Sequence, residues 1–376
     1  MFIEFSEDFS KSLSSFDPVE VEEIFQRARL ASKDGYHIIS CQNKKTAYTI
    51  IEFIHEKSKI LESFFHEVLD YISEINTLKK QFSLYISIIS NSQTNLNVKP
   101  EDEVKIGMDI AKSASFWKQL QLLVEYSRDA VFYDWITKYV KEKNKNLKKI
   151  KTSFNVMNGG GGTTHREMLR LNTEKQMVLC FLDSDKKFPE QEEYGATAKD
   201  FSETDRSGIS DFYVMKAHEL ENLFFSRNIV LDLHKKGEGK PKEKEQRKKT
   251  FDEIEKKISF VESNVKNFRL YFDVKKGYKK KDIVGIRYLQ NALGVNAYCA
   301  NKRKTCNKEC DVCCEPVIAG YGTEYLLLIK CKYSGNIRDL FRDAETLNEL
   351  QKQEWELIGK KLISWSCSYK YNSHGI

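Results

Sequence analysis

Hydrophobic positions in the first ~115 residues recur at helical spacing. Ile50, Ile51, Ile54, Leu61, Phe65, Val68, Ile72 and Ile75 follow one another mostly three, four or seven residues apart, with Glu, Lys and His between them. The pattern predicts one long amphipathic helix, packed on 16–32 and 108–118, in a helical N-terminal domain over 1–115. A stripe of that length outruns what one small domain covers, which predicts a second copy of the chain or a regulatory partner, unless those two segments cover it. The polar, proline-containing stretch 91–103 reads as a linker.

From about residue 116 the pattern changes to short apolar runs alternating with amphipathic stretches. WKQLQLLVE (117–125) reads as a strand ending at Glu125, and SRDAVFYDWITKYV (127–140) as a helix with Trp135, Ile136 and Tyr139 on its apolar side. KIKTSFNVM (149–157) is a second strand that runs into four glycines at 159–162, followed by the short helix THREMLRLNTE. VLCFLDSD (178–185) is a third strand, DFYVM (211–215) a fourth, and AHELENLFF (217–225) a helix. Strands separated by helices imply parallel pairing through right-handed crossovers. In such a sheet the strand ends share one edge, so Glu125, the glycines, Asp183 and Asp185 converge there. Asp and Ser at that place also suit the end of a strand and the cap of a helix. Converging carboxylates suit a hard divalent cation.

Three segments together resemble the TOPRIM domain: LLVEYSRD (122–129), FNVMNGGGG (154–162) and LCFLDSD (179–185). TOPRIM occurs in topoisomerases, bacterial primases and the OLD-family and related phage-defence nucleases. KAHELENLFF (216–225) resembles the acidic helix start that follows the fourth strand in OLD-like and PARIS-type effectors, while Tyr126 stands where the family usually has glycine. The resemblance covers about 118–225, under a third of the chain. It implies an α/β, TOPRIM-like (Rossmann-like) parallel sheet as the catalytic domain over 116–230. A basic, Cys-containing region over 231–376 would complete or extend it.

The implied activity is that of a metal-dependent nuclease acting on DNA or RNA, tRNA included, as a toxic effector of antiviral defence. PARIS-type effectors are held by a partner ATPase, and this chain has no GxxxxGK[ST] loop of its own. Phosphodiester hydrolysis needs a nucleophilic water, neutralised phosphoryl charge and a stabilised leaving oxygen, which two cations about 3.5–4 Å apart provide. Asp183, Asp185 and Glu221 are the expected ligands. Glu125 is a further ligand or the group that handles the proton, and Asp129 a ligand or an acceptor behind it. Donors that are all carboxylates imply Mg2+ or Mn2+. Glu221 also fits an ordinary acidic residue in a first helical turn, and His218 reads as a surface histidine. LIGKKLI (357–363) resembles the setting of the lysine that OLD-like nucleases carry, which makes Lys360 its counterpart. The alternative function is a non-catalytic nucleic-acid-binding or assembly protein with a degenerate TOPRIM sheet.

Composition changes this picture in three places. With 376 residues, 40% hydrophobic and 12% aromatic, the chain is a folded protein of two or three domains. No basic segment followed by an apolar one opens it, and no apolar stretch nears the roughly 20 residues that cross a bilayer, so a cytoplasmic location without membrane attachment is expected. The formal charge of +6 is concentrated at 141–149, 235–249 and 275–281, which are solvated loops or the flanks of a nucleic-acid site. Nine cysteines without an export signal point to free thiols or metal ligands. Cys306, Cys310 and Cys313 have CxxxCxxC spacing, and with Cys299 or Cys314 as a fourth ligand they suit a structural Zn2+; surface thiols are the alternative.

Overall fold

The computed structural model describes residues 1–91, 102–202, 206–231, 233, 240–263, 265–283, 286–294 and 316–369. Cys299, Cys306, Cys310, Cys313 and Cys314, and most of the expected linker, lie outside the described residues. The chain forms two compact units that interleave along the sequence. One comprises Met1–Leu182, Lys199–Tyr213 and Glu356–Ile376, the other Asp183–Ala198 and Val214–Trp355. No helix among the described residues is long and apolar enough to cross a membrane.

The first unit opens with a parallel sheet, which corrects the expectation of a purely helical N-terminus. Its elements are β1 (Phe2–Phe5), α1 (Glu7–Lys11), α2 (Pro18–Lys33), β2 (Ile38–Cys41), α3 (Lys44–Ile54), α4 (Lys59–Lys79), β3 (Tyr85–Ile88), β4 (Glu103–Ile106) and α5 (Met108–Ala111). The strands run in the order β2-β1-β3-β4. Phe2 pairs with Ile38, Ile3 with Ile86 and Ile86 with Val104. FIEF and IISC are buried along their whole length, as strands covered on both faces are. The single long helix expected over 50–75 is two helices. Glu56 turns the chain through a left-handed φ of 66°, and the Ser58 side chain then accepts from the Leu61 N–H to start α4. The apolar stripe packs inside the unit: Phe65 is fully buried against Phe5, Phe25 and Phe64, and Val68, Ile72 and Ile75 are buried as well. The chain's own helices and sheet therefore cover the surface from which self-association was expected.

The same unit holds the second sheet, built much as its pattern predicts. Its elements are β5 (Leu120–Val124), α6 (Ala130–Lys143), β6 (Lys151–Thr152), β7 (Phe154–Asn158), α7 (Thr164–Thr173), β8 (Val178–Leu182) and β9 (Ser210–Val214). Four strands align as β7-β5-β8-β9, with β5 parallel to both β7 and β8. The helix Glu349–Ser366 ends beside β6, where Cys367 pairs with Thr152. In the second unit a core of aromatic rings joins Phe225, Phe251, Phe272, Tyr321 and Tyr325. A short antiparallel pair, Gly277–Lys279 with Pro316–Ala319, stands beside it. Buried Arg269 carries Glu255 and, at 2.8 Å, Glu262, so its charge is balanced inside the unit.

Candidate functional site

The register of the second sheet fixes where its strands end. Val124 lies beside Asn158 on one neighbour and beside Phe181 on the other, so Glu125, Gly159 and Leu182 follow at one level. The glycine loop folds back on β5: the Gly159 N–H donates to Val124 O at 2.7 Å and the Gly160 N–H to Glu125 O at 3.1 Å. Gly160 and Gly161 take φ of 70° and 62°, which explains glycine at those two positions. Glu125 and Asp129 are partly buried residues of this first unit.

Asp183 begins the second unit, and the loop it opens is tied to residues 217–220. The Ser184 hydroxyl donates to Ala217 O at 2.6 Å, the Asp185 N–H to His218 O at 2.8 Å, and the Leu220 N–H to Asp183 Oδ1 at 3.0 Å. The His218 N–H is in turn bound to Leu270 O at 2.9 Å. Asp183 thus holds the short helical turn Leu220–Phe224 by its first N–H, while Asp185 faces elsewhere in the site. Asp185 has a φ of 55°, a left-handed conformation that Asp tolerates better than most residues.

Asp185, His218 and Glu219 converge, with one ligand atom from each lying within 4.8 Å of the others. His218 is 4% exposed, which corrects its reading as a surface residue, and its Nδ1 has no hydrogen-bond partner. The three residues line a cavity of about 440 Å³, whose wall also carries Lys187, Lys276, Lys279, Asp273 and Asp282. Glu221, the glutamate expected as a ligand, is buried beside them and bound to Lys275 at 3.1 Å; the same ammonium lies 3.1 Å from Glu219. Burial pushes the Glu221 carboxyl up to about 7, with Lys275 opposing and Glu219 adding to the rise. Burial acts to lower the Lys275 ammonium, but Glu221, Glu219 and Asp183 outweigh it and move it up.

Two carboxylates and one imidazole make a donor set for a divalent ion, and the imidazole favours manganese over magnesium more than an all-carboxylate set does. A buried ring nitrogen without a hydrogen-bond partner fits a metal ligand. Of the three residues expected as first ligands, Asp185 lies in this group; Asp183 and Glu221 lie beside it, and His218 and Glu219 are the residues that join Asp185. HELEN offers both glutamates, and the segment is held by the bonds of residue 218 to Asp185 and Leu270 and of residue 220 to Asp183. Lys360 sits half-exposed in the first unit, 2.6 Å from Glu356 one helical turn away. The lysine among the carboxylates is Lys275, the first of a basic run that reads as a solvated loop. Searched against protein-family models, curated proteins and solved structures, the chain matches none.

Proposed function

We propose that the protein is a metal-dependent nuclease that hydrolyses phosphodiester bonds of DNA or RNA, with a divalent ion held by Asp185, His218 and Glu219. One observation carries this reading: a buried imidazole with an unpartnered Nδ1 beside two carboxylates. Such a group is costly to bury unless something completes its bonding. The bound ion would polarise a phosphoryl oxygen and activate water, which is the chemistry that ester cleavage needs. The chain's own residues do the rest. Lys187, Lys276 and Lys279 on the cavity wall can meet phosphate, opposed by Asp273 and Asp282 on the same wall until a cation offsets the acidic side chains. Asp183 fixes the turn from which His218 and Glu219 project. The resemblance of LLVEYSRD, the glycine loop and LCFLDSD to TOPRIM supports the same class of reaction, and the further roles as an antiviral effector and as the partner of an ATPase rest on that resemblance alone.

The test is incubation of the purified chain with DNA and with total RNA, in chelator, Mg2+ or Mn2+. Cleavage is expected only with the ion, and more with Mn2+. Asp185→Asn, which keeps a side chain at home in the left-handed conformation, and Glu219→Gln are each expected to lower it by about 10²-fold or more. Glu125→Gln tests the part read for that residue from the sequence. Nucleic acid retained without any cleavage would favour a binding protein, and full activity in Asp185→Asn would remove the proposed site.

A further inference from the structure

Lys275 brings an ammonium between two carboxylates of the site. Its ammonium lies 3.1 Å from Glu219 and 3.1 Å from Glu221, and only 24% of its side chain is exposed. Glu219 belongs to both groups, since it also converges with Asp185 and His218. In two-ion sites the cations sit about 3.5–4 Å apart and share the charge of the transferring phosphoryl group. Here one carboxylate, Glu219, faces both the Lys275 ammonium and the group formed with Asp185 and His218. The main chain from which the Lys275 side chain projects is held closely. The Gly322 N–H donates to Lys275 O at 3.0 Å, and Gly320 packs so closely that a Cβ there would strike the Lys275 main chain.

We infer that the site works with one divalent ion and uses the Lys275 ammonium as its second cation. The chemistry rests on the nuclease reading above. An ammonium has three N–H donors. Glu219 and Glu221 each bring one oxygen to within 3.1 Å of it, and Glu219 Oε2 makes no hydrogen bond, so donors remain for a phosphoryl or leaving oxygen. In the hydrolysis, the water oxygen bonds to phosphorus and the P–O ester bond breaks. Its electron pair leaves on the ester oxygen, which takes up the proton released by the water. Lys275 neutralises charge in that step and gives up no proton in the balance. The buried, unpartnered Nδ1 of His218 marks the other position as the one left for an ion.

Mn2+ alone titrated into the full chain, with free ion followed by electron paramagnetic resonance, tests this without any substrate. One ion per chain that is lost in Asp185→Asn is the expected result. Two such ions would overturn the inference while leaving the nuclease reading intact, and no binding would overturn both. Lys275→Met keeps the apolar stem of the side chain. It is expected to bind a second ion and to lose about 10²-fold in cleavage, partly regained at high Mn2+. Cleavage within about threefold of the unaltered chain, with one ion bound, would overturn the inference. Should that variant fail to fold, the ion count on the unaltered chain still decides. One bound ion without cleavage of any nucleic acid would remove the nuclease reading and the catalytic part of Lys275 with it, leaving only the one-ion count.

Discussion

Asp185 holds a left-handed φ of 55° with its carboxylate packed against Gly195. Gly195 packs against it so tightly that a Cβ there would fall on the Asp185 carboxylate, and the Gly195 N–H is bound to Ser184 O at 2.9 Å. Gly195→Ala is therefore expected to displace Asp185 and weaken Mn2+ binding by about 10–100-fold, as changes behind a metal ligand do. Titration of the variant with Mn2+ measures this, and an unchanged affinity would show that Asp185 is not a ligand. At this scale the sequence shows the two aspartates, because charged residues at the end of the apolar run VLCFL are conspicuous. It does not separate their tasks. Asp183 caps a turn and Asp185 faces the cavity, a division made by hydrogen bonds to residues 217–220 that no local pattern contains. Lys275 is hidden for a related reason: composition reports a basic run, and only the tertiary fold turns its first member onto Glu219 and Glu221.

Elements of the second sheet are legible because its four strands β7, β5, β8 and β9 are five residues long each and are separated by a helix or a clear turn. The first sheet escapes the same reading. Its strands have four residues each, and the longer periodic stretches of α3 and α4 dominate any window that contains them. The helix Glu349–Ser366 shows how closely such elements pack in the first unit. A Cβ at Gly359 would lie 2.5 Å from Val140 Cγ2 and 3.4 Å from Ile136 O, so α6 can lie against the helix only where the side chain is absent. Gly359→Ala gains about 1 kcal/mol of helix propensity. It also overpacks the contact, at a cost of about 1–3 kcal/mol. A net loss of about 1 kcal/mol is expected in denaturant unfolding. In a Val140→Ala background the added methyl group has room, and the same change is expected to stabilise. A gain in both backgrounds would show that the contact is not tight.

Over the whole molecule the sequence reads as three successive domains, whereas the chain builds two interleaved units. Closure of the first unit depends on distant pairings. The Met1 amine donates to Cys367 O at 2.8 Å, the Ser83 N–H to Ser364 Oγ at 2.9 Å, and Phe2 and Ile38 share a core with Ile363 and Cys367. Periodicity cannot show such returns, since it carries no information on which segment comes back. One consequence is His37, which the closed unit buries completely. Burial first, and then the charged N-terminal amine, holds its pKa well below the usual histidine range. The unfolded chain takes up a proton near the ordinary value of about 6.5, and the folded unit does not. The unfolded state therefore binds more protons as the pH falls below that value, and stability is lost in that direction at about 1.4 kcal/mol per pH unit. Exposed His55, raised by its hydrogen bond to Glu62, acts in the opposite sense at the surface, where solvent screens it. Urea unfolding of the full chain and of His37→Leu between pH 8 and pH 5 isolates the buried group. The two proteins are expected to share one slope above pH 7 and to diverge below about 6.5, the unaltered chain losing stability faster. Parallel curves throughout would mean that His37 takes up its proton in the folded protein as readily as in the unfolded one.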